Sequence, residues 1–126
     1  EKMKELNKLR SEMIWLEMDM CELTFEDNSF DVIIDKATMD ALLVDEGSVW
    51  EPDPNVIFSV DKMCKEMSRV LSSNGIFLQI SFSQPHFRTK YLMGEHIQQT
   101  VTNPYTPSLG YCYNYKWRLF IENIIR

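Results

Sequence analysis

Asp35, Lys36, Thr38 and Asp40 follow one another closely, directly after the apolar run Ser29-Phe-Asp-Val-Ile-Ile34. That run reads as a strand buried on both faces, the kind found in parallel sheets. Ligands of open α/β sheets bind in the crevice outside the carboxyl ends of the strands. Polar residues just past Ile34 therefore stand where chemistry is expected. A carboxylate there can orient an amine or favour its positive charge, and the plainer alternative is a surface ion pair that contributes little. Thr38 and Asp40 can equally serve as caps of the short helix that follows.

Two further groups fall at strand ends. Met13-Ile-Trp-Leu-Glu-Met18 reads as a strand that finishes at Asp19. A carboxylate in that position can accept a hydrogen bond from a ligand amino group, and the next N–H, that of Met20, can donate to a ring nitrogen. His86 follows the run Ile76–Phe82 and precedes Phe87-Arg88. There it can line a channel and receive a proton. His96 lies in a β-like region and is treated as an ordinary packing or surface residue.

The elements that must hold these groups can be read from spacing. Glu1 to about Arg10 has helical character, with Met3, Leu6 and Leu9 on one face. Cys21 to Asn28 is a loop, and Thr38–Leu43 forms a short helix. Asp45–Asn55 is rich in turn formers and acids and is long enough to act as a flap; its charge could meet a basic substrate, although solvated loop charge is the default. Val56–Leu71 is the best helix of the chain, with Ile57, Val60, Met63, Cys64, Met67, Val70 and Leu71 spaced by three and four. Ser72–Gly75 ends it, and Asn74-Gly75 suits a left-handed cap. Strand Ile76–Phe82 follows. In the tail, Glu95–Val101 and Gly110–Ile121 are β-like and suggest a half-buried antiparallel hairpin, with Trp15, Trp117 and the tyrosines packing the sheet.

Helix, strand, connector, strand, helix, strand is the order of a parallel sheet with right-handed crossovers. With 126 residues, 44% apolar and 25% charged, the chain suits one soluble α/β domain with a real core. No run approaches the ~18 apolar residues of a membrane span, so no membrane partner is expected. The net charge of −6 argues against a general nucleic-acid binder. Cys21, Cys64 and Cys112 are odd in number and far apart, without a CxxC pair, so neither a structural zinc site nor another metal site is expected. They read as reduced thiols, Cys64 buried on a helix, and no base stands near to make a nucleophile.

Three segments carry a family resemblance. Asp35-Lys-Ala-Thr-Met-Asp-Ala-Leu42 is similar to the DKGTLDAL segment of protein lysine methyltransferases, including those acting on translation elongation factor 1-alpha. Ser68-Arg-Val-Leu-Ser-Ser-Asn-Gly75 resembles the RVLxPGG turn of the wider seven-stranded S-adenosylmethionine-dependent methyltransferases. Gln84-Pro-His-Phe-Arg88 resembles the PHFR segment of the lysine group. The resemblance covers roughly residues 13 to 92, and it departs from the pattern at Ala37, where the family carries Gly.

The resemblance implies a Rossmann-like methyltransferase sheet, mostly parallel with a C-terminal antiparallel hairpin. It places the first strand, the Gly-rich cofactor loop and the ribose-binding acid before Glu1, so residues 1–126 are expected to be one partial, N-terminally truncated methyltransferase domain. It assigns Asp19 and Met20 to the adenine, and Asp35 and Lys36 to the methionine part of S-adenosylmethionine. Asp35 and His86 are the expected catalytic residues. The implied reaction is methylation of a lysine on a protein, such as a translation factor, in the cytoplasm. Methylation of a small molecule and a non-catalytic binding module are the alternatives.

Overall fold

The computed structural model describes residues 2–96, 111–112 and 115–118. Helix α1 (Lys2–Leu6) opens the chain. It is shorter than the expected Glu1–Arg10, because so short a helix needs a packing partner and its Met3 and Leu6 face solvent, as does Leu9 beyond it. The expected strand at Met13–Met18 is irregular backbone. Among the described residues no neighbouring strand completes its ladder, and Ile14 is 84% exposed.

Strand β1 (Phe30–Lys36) leads through Ala37 into helix α2 (Thr38–Leu42) and a single 3₁₀ turn, Leu43–Asp45. The flap that follows is a small hairpin of β2 (Gly47–Ser48) and β3 (Glu51–Pro52). Helix α3 (Pro54–Val70) starts with Asp53, whose carboxylate accepts from the Asn55 N–H at 2.7 Å, and with a proline in its first turn. Val60, Met63, Cys64, Met67 and Val70 form its buried stripe, as their spacing predicts.

Strand β4 (Leu71–Ile80) pairs parallel with β1, bringing Val32 against Ile76, Asp35 against Gln79 and Lys36 against Ile80. The register breaks between Phe30, opposite Leu71, and Val32, opposite Ile76, so residues 72–75 bulge outward. The left-handed cap expected at Asn74-Gly75 does not form. Helix α3 ends at Leu71 in extended conformation (φ −76°, ψ 134°) and passes straight into β4. Gly75 serves space instead: a Cβ there would lie 2.6 Å from Leu71 Cδ1 and 3.0 Å from the Asp31 carbonyl oxygen.

One face of the β1/β4 pair carries Ile33, Asp35, Phe77 and Gln79 toward α3. The other face corrects the expectation of strands buried on both sides. Val32, Ile34, Ile76, Leu78 and Ile80 are all exposed, Ile34 to 62%, because the described helices pack on a single face. The core itself joins Val60, Met63, Cys64 and Met67 of α3 to Met39, Leu43, Tyr91, Leu92 and Tyr115.

Helix α4 (Pro85–Leu92) follows β4, and strands β5 (Tyr111–Cys112) and β6 (Trp117–Arg118) form an antiparallel hairpin. Both strands come from within the second β-like segment, so the hairpin is tighter than expected, with Lys116 in its turn at φ 58°. The expected Glu95–Val101 arm starts as a turn, the Glu95 N–H bonding back to the Lys90 carbonyl, and its remainder lies outside the described residues. Trp117 stacks on Phe77 at 5.3 Å and donates its indole N–H to the Leu92 carbonyl, which docks the hairpin on the core.

Candidate active site

At the carboxyl end of β1, Asp35 turns inward and is only 4% exposed. Its Oδ1 accepts the Thr38 N–H at 2.7 Å, and its Oδ2 accepts the Met39 N–H at 3.3 Å and the Gln79 amide at 3.2 Å. The Thr38 and Met39 N–H groups open α2, so Asp35 caps that helix from three residues before Thr38. The capping role expected of Thr38 and Asp40 falls to Asp35. The turn between them requires Ala37 in the left-handed region, at φ 62° and ψ 15°, which explains the family glycine at this position. Lys36 is exposed beside it.

Asp40 reaches across the end of β4. Its carboxylate accepts from the Ser81 hydroxyl at 2.7 Å, the Arg88 Nε at 2.8 Å and the Phe82 N–H at 3.1 Å. Burial alone would raise its pKa, but these bonds from Ser81, Arg88 and Phe82 outweigh it and hold the carboxyl below the ordinary carboxylate value. In the sequence Arg88 stands out only as part of the Gln84–Arg88 motif. Its partner lies 48 residues away, and no local signal joins them.

His86 sits in the first turn of α4, exposed, with its ring 4.0 Å from that of Phe87. The bond from Arg88 to Asp40 fixes this turn against the end of β1, so Asp35, Lys36 and His86 share the carboxyl end of the sheet.

Asp19 and Met20 arrive on a loop held by α3 rather than at the end of a strand. Arg69 donates to the carbonyls of Leu23 and Phe25 and pairs with Glu66 and Asp27, while Glu66 accepts the Leu23 N–H at 2.8 Å. The Asp19 carboxylate is exposed and accepts the Cys21 N–H at 2.8 Å, and Met20 packs against the core. Burial and the neighbouring Asp19 push the Cys21 thiol up, which disfavours the thiolate a nucleophile needs.

No group of His, Cys, Asp and Glu among the described residues could hold a metal ion. No helix among them is long and apolar enough to cross a membrane. A surface depression of about 350 Å³ lined by Asp27, Asn28, Lys65, Ser68, Arg69 and Lys116 lies at the amino end of β1, away from the strand-end chemistry.

A parallel β1/β4 pair with acids at its carboxyl end, crossed over by α3, belongs to a known class. The chain matches the Methyltransferase domain family over residues 3–114 and belongs to it. It is 39% identical to EEF1A lysine methyltransferase 4 of Bos taurus over 82 residues, which is 65% of this chain and 32% of that protein. It is 41% identical to the human eEF1A lysine and N-terminal methyltransferase over 91 residues, 71% of this chain and 12% of that protein. The homologue in Drosophila melanogaster is also 41% identical, over 68% of this chain and 12% of its own length. The chain thus spans a third or less of the curated relatives it matches.

Proposed function

We propose that this chain is part of an S-adenosylmethionine-dependent methyltransferase that methylates a lysine on another protein, such as a translation factor. The observation that carries the reading is the strand-end turn Asp35–Asp40, a built feature with a buried carboxylate and a left-handed Ala37, in a chain of the methyltransferase family. The names of its relatives, lysine methyltransferases of the elongation factor, supply the substrate class.

When bound, S-adenosylmethionine supplies a methyl group on a positively charged sulfur, which becomes a neutral thioether once the methyl has left. The protein's task is then mostly positioning. Asp19 accepts the adenine amino group and the Met20 N–H donates to a ring nitrogen. The Asp35 side chain, already committed to Thr38, Met39 and Gln79, holds the Lys36–Ala37 turn rigid beside the methionine end. Its charge favours an amine approaching the strand end. A lysine attacks only as the free amine, and His86 takes up the proton it sheds.

The test is calorimetric titration of S-adenosylhomocysteine into the full-length protein. Binding that is lost on Asp19→Ala supports the reading. A folded full-length protein that binds none overturns it and leaves the binding-module alternative.

A further inference from the structure

Trp50 is 82% exposed at the tip of the β2/β3 hairpin, an unusual place for so large an apolar surface. It is not there for want of structure. Pro52 beneath it is buried, the Asp53 N–H bonds to the Glu46 carbonyl at 2.9 Å, and Glu46 accepts the Tyr91 hydroxyl at 2.8 Å. The hairpin is therefore fastened to α4 at one side and leads into α3 at the other. Its indole is held out at a fixed point, which limits the entropy lost on binding.

A cation already lies on that ring. Lys90 Nζ is 5.1 Å from the Trp50 centroid. The contact shows that the ring face is open to a lysine-like group and correctly turned toward α4. Lys90 is also one helical turn beyond His86, and side chains four apart share a helix face. Trp50 thus stands next to the same ridge of α4 as the residue proposed to receive the substrate's proton. Around it Asp45, Glu51 and Asp53 are exposed, and the stretch from 45 to 53 holds no lysine or arginine.

We propose that the Trp50 face is a docking point for a basic segment of the protein substrate, with Lys90 an internal stand-in that the incoming lysine or arginine displaces. The proposal rests on the reading above only in calling that segment the substrate's. A polypeptide cation is the occupant because the ring attracts a cation and the hairpin's own charged residues are all acidic.

The experiment is fluorescence anisotropy of a labelled lysine–serine repeat peptide with the full-length protein at low salt. Trp50→Ala is expected to weaken binding about two- to fivefold, the scale of an exposed cation–π contact, and Trp50→Phe to fall between. Lys90→Gln is expected to tighten it by a similar factor, and that gain must vanish when Trp50 is already Ala. No peptide binding, or affinity indifferent to Trp50 in a variant with native circular dichroism, overturns the docking site. So does a Lys90→Gln gain that persists without the ring, which marks bulk charge as its cause. S-adenosylhomocysteine titration of the same protein separates the two readings. Cofactor binding with Trp50-independent peptide affinity removes only the docking site, and the converse removes only the enzyme.

Discussion

Arg88 donates its Nε to Asp40 Oδ1 at 2.8 Å, and through that bond helix α4 is tied to helix α2 across the end of β4. Neither side chain is more than 15% exposed, so the pair works in a setting where water screens it weakly. Asp40→Asn is expected to lower stability by roughly 2 kcal/mol at neutral pH, since it leaves a buried guanidinium poorly partnered. The dependence on pH follows from the direction of the shift. The carboxyl of Asp40 is held low in the folded state by Ser81, Arg88 and Phe82 against the effect of burial. Its contribution is therefore present above the unfolded value near 4 and is lost as pH falls through the lower folded value. Denaturant melts of wild type and Asp40→Asn from neutral pH downward should converge in that acid range.

Asp35 and Thr38 offer a sharper contrast. Asp35→Ala strips two N–H groups of α2 and the Gln79 amide of their acceptor, and is expected to cost about 1–3 kcal/mol. Thr38→Ala removes no cap and should stay within about 0.5 kcal/mol of wild type. Equal effects of the two in urea titration would contradict the assignment of the cap to Asp35.

Ala37 holds a backbone conformation that a side chain disfavours, at φ 62°. The left-handed region costs an L-residue about 1–2 kcal/mol, and glycine gives back part of that gain through its more disordered unfolded state. Ala37→Gly should raise stability by a net of about 0.5–1 kcal/mol, read as a higher urea midpoint with an unchanged slope of the transition.

Gly75→Ala tests the bulge. A methyl group there meets the Leu71 side chain and the Asp31 carbonyl, and the backbone oxygen cannot give way as a side chain can. A loss of about 1–3 kcal/mol is expected, read from thermal or urea melts.

His86→Ala tests the proton acceptor. Turnover of a lysine substrate should fall about a hundredfold or more, with S-adenosylhomocysteine affinity unchanged. Full turnover in this variant would remove His86 from the mechanism.

Much of the frame was legible along the chain. The α3 stripe recurs every three or four residues and β1 is a bounded apolar run, and both signals are short-range properties that a folded context only has to accept. The strand-end location of Asp35 and Lys36 follows from the same pattern, and so does the parallel crossover between β1 and β4. The Met13–Met18 strand does not form and α1 stops at Leu6 for the opposite reason: a strand needs a ladder and a short helix needs a packing face, and apolar spacing supplies neither.

The sequence by itself thus determined the succession β1, α2, α3, β4, the α3 core stripe and the position of the strand-end acids, because these depend on neighbours within a turn or two of chain. Only the tertiary structure decided that Asp35 caps α2, that Asp40 meets Arg88 from 48 residues away, that Gly75 is needed for room, and that Lys90 lies on Trp50. Those pairings depend on which backbone segments the collapsed core brings together, and a carboxylate, a glycine or an indole looks the same in the chain whatever partner it finds.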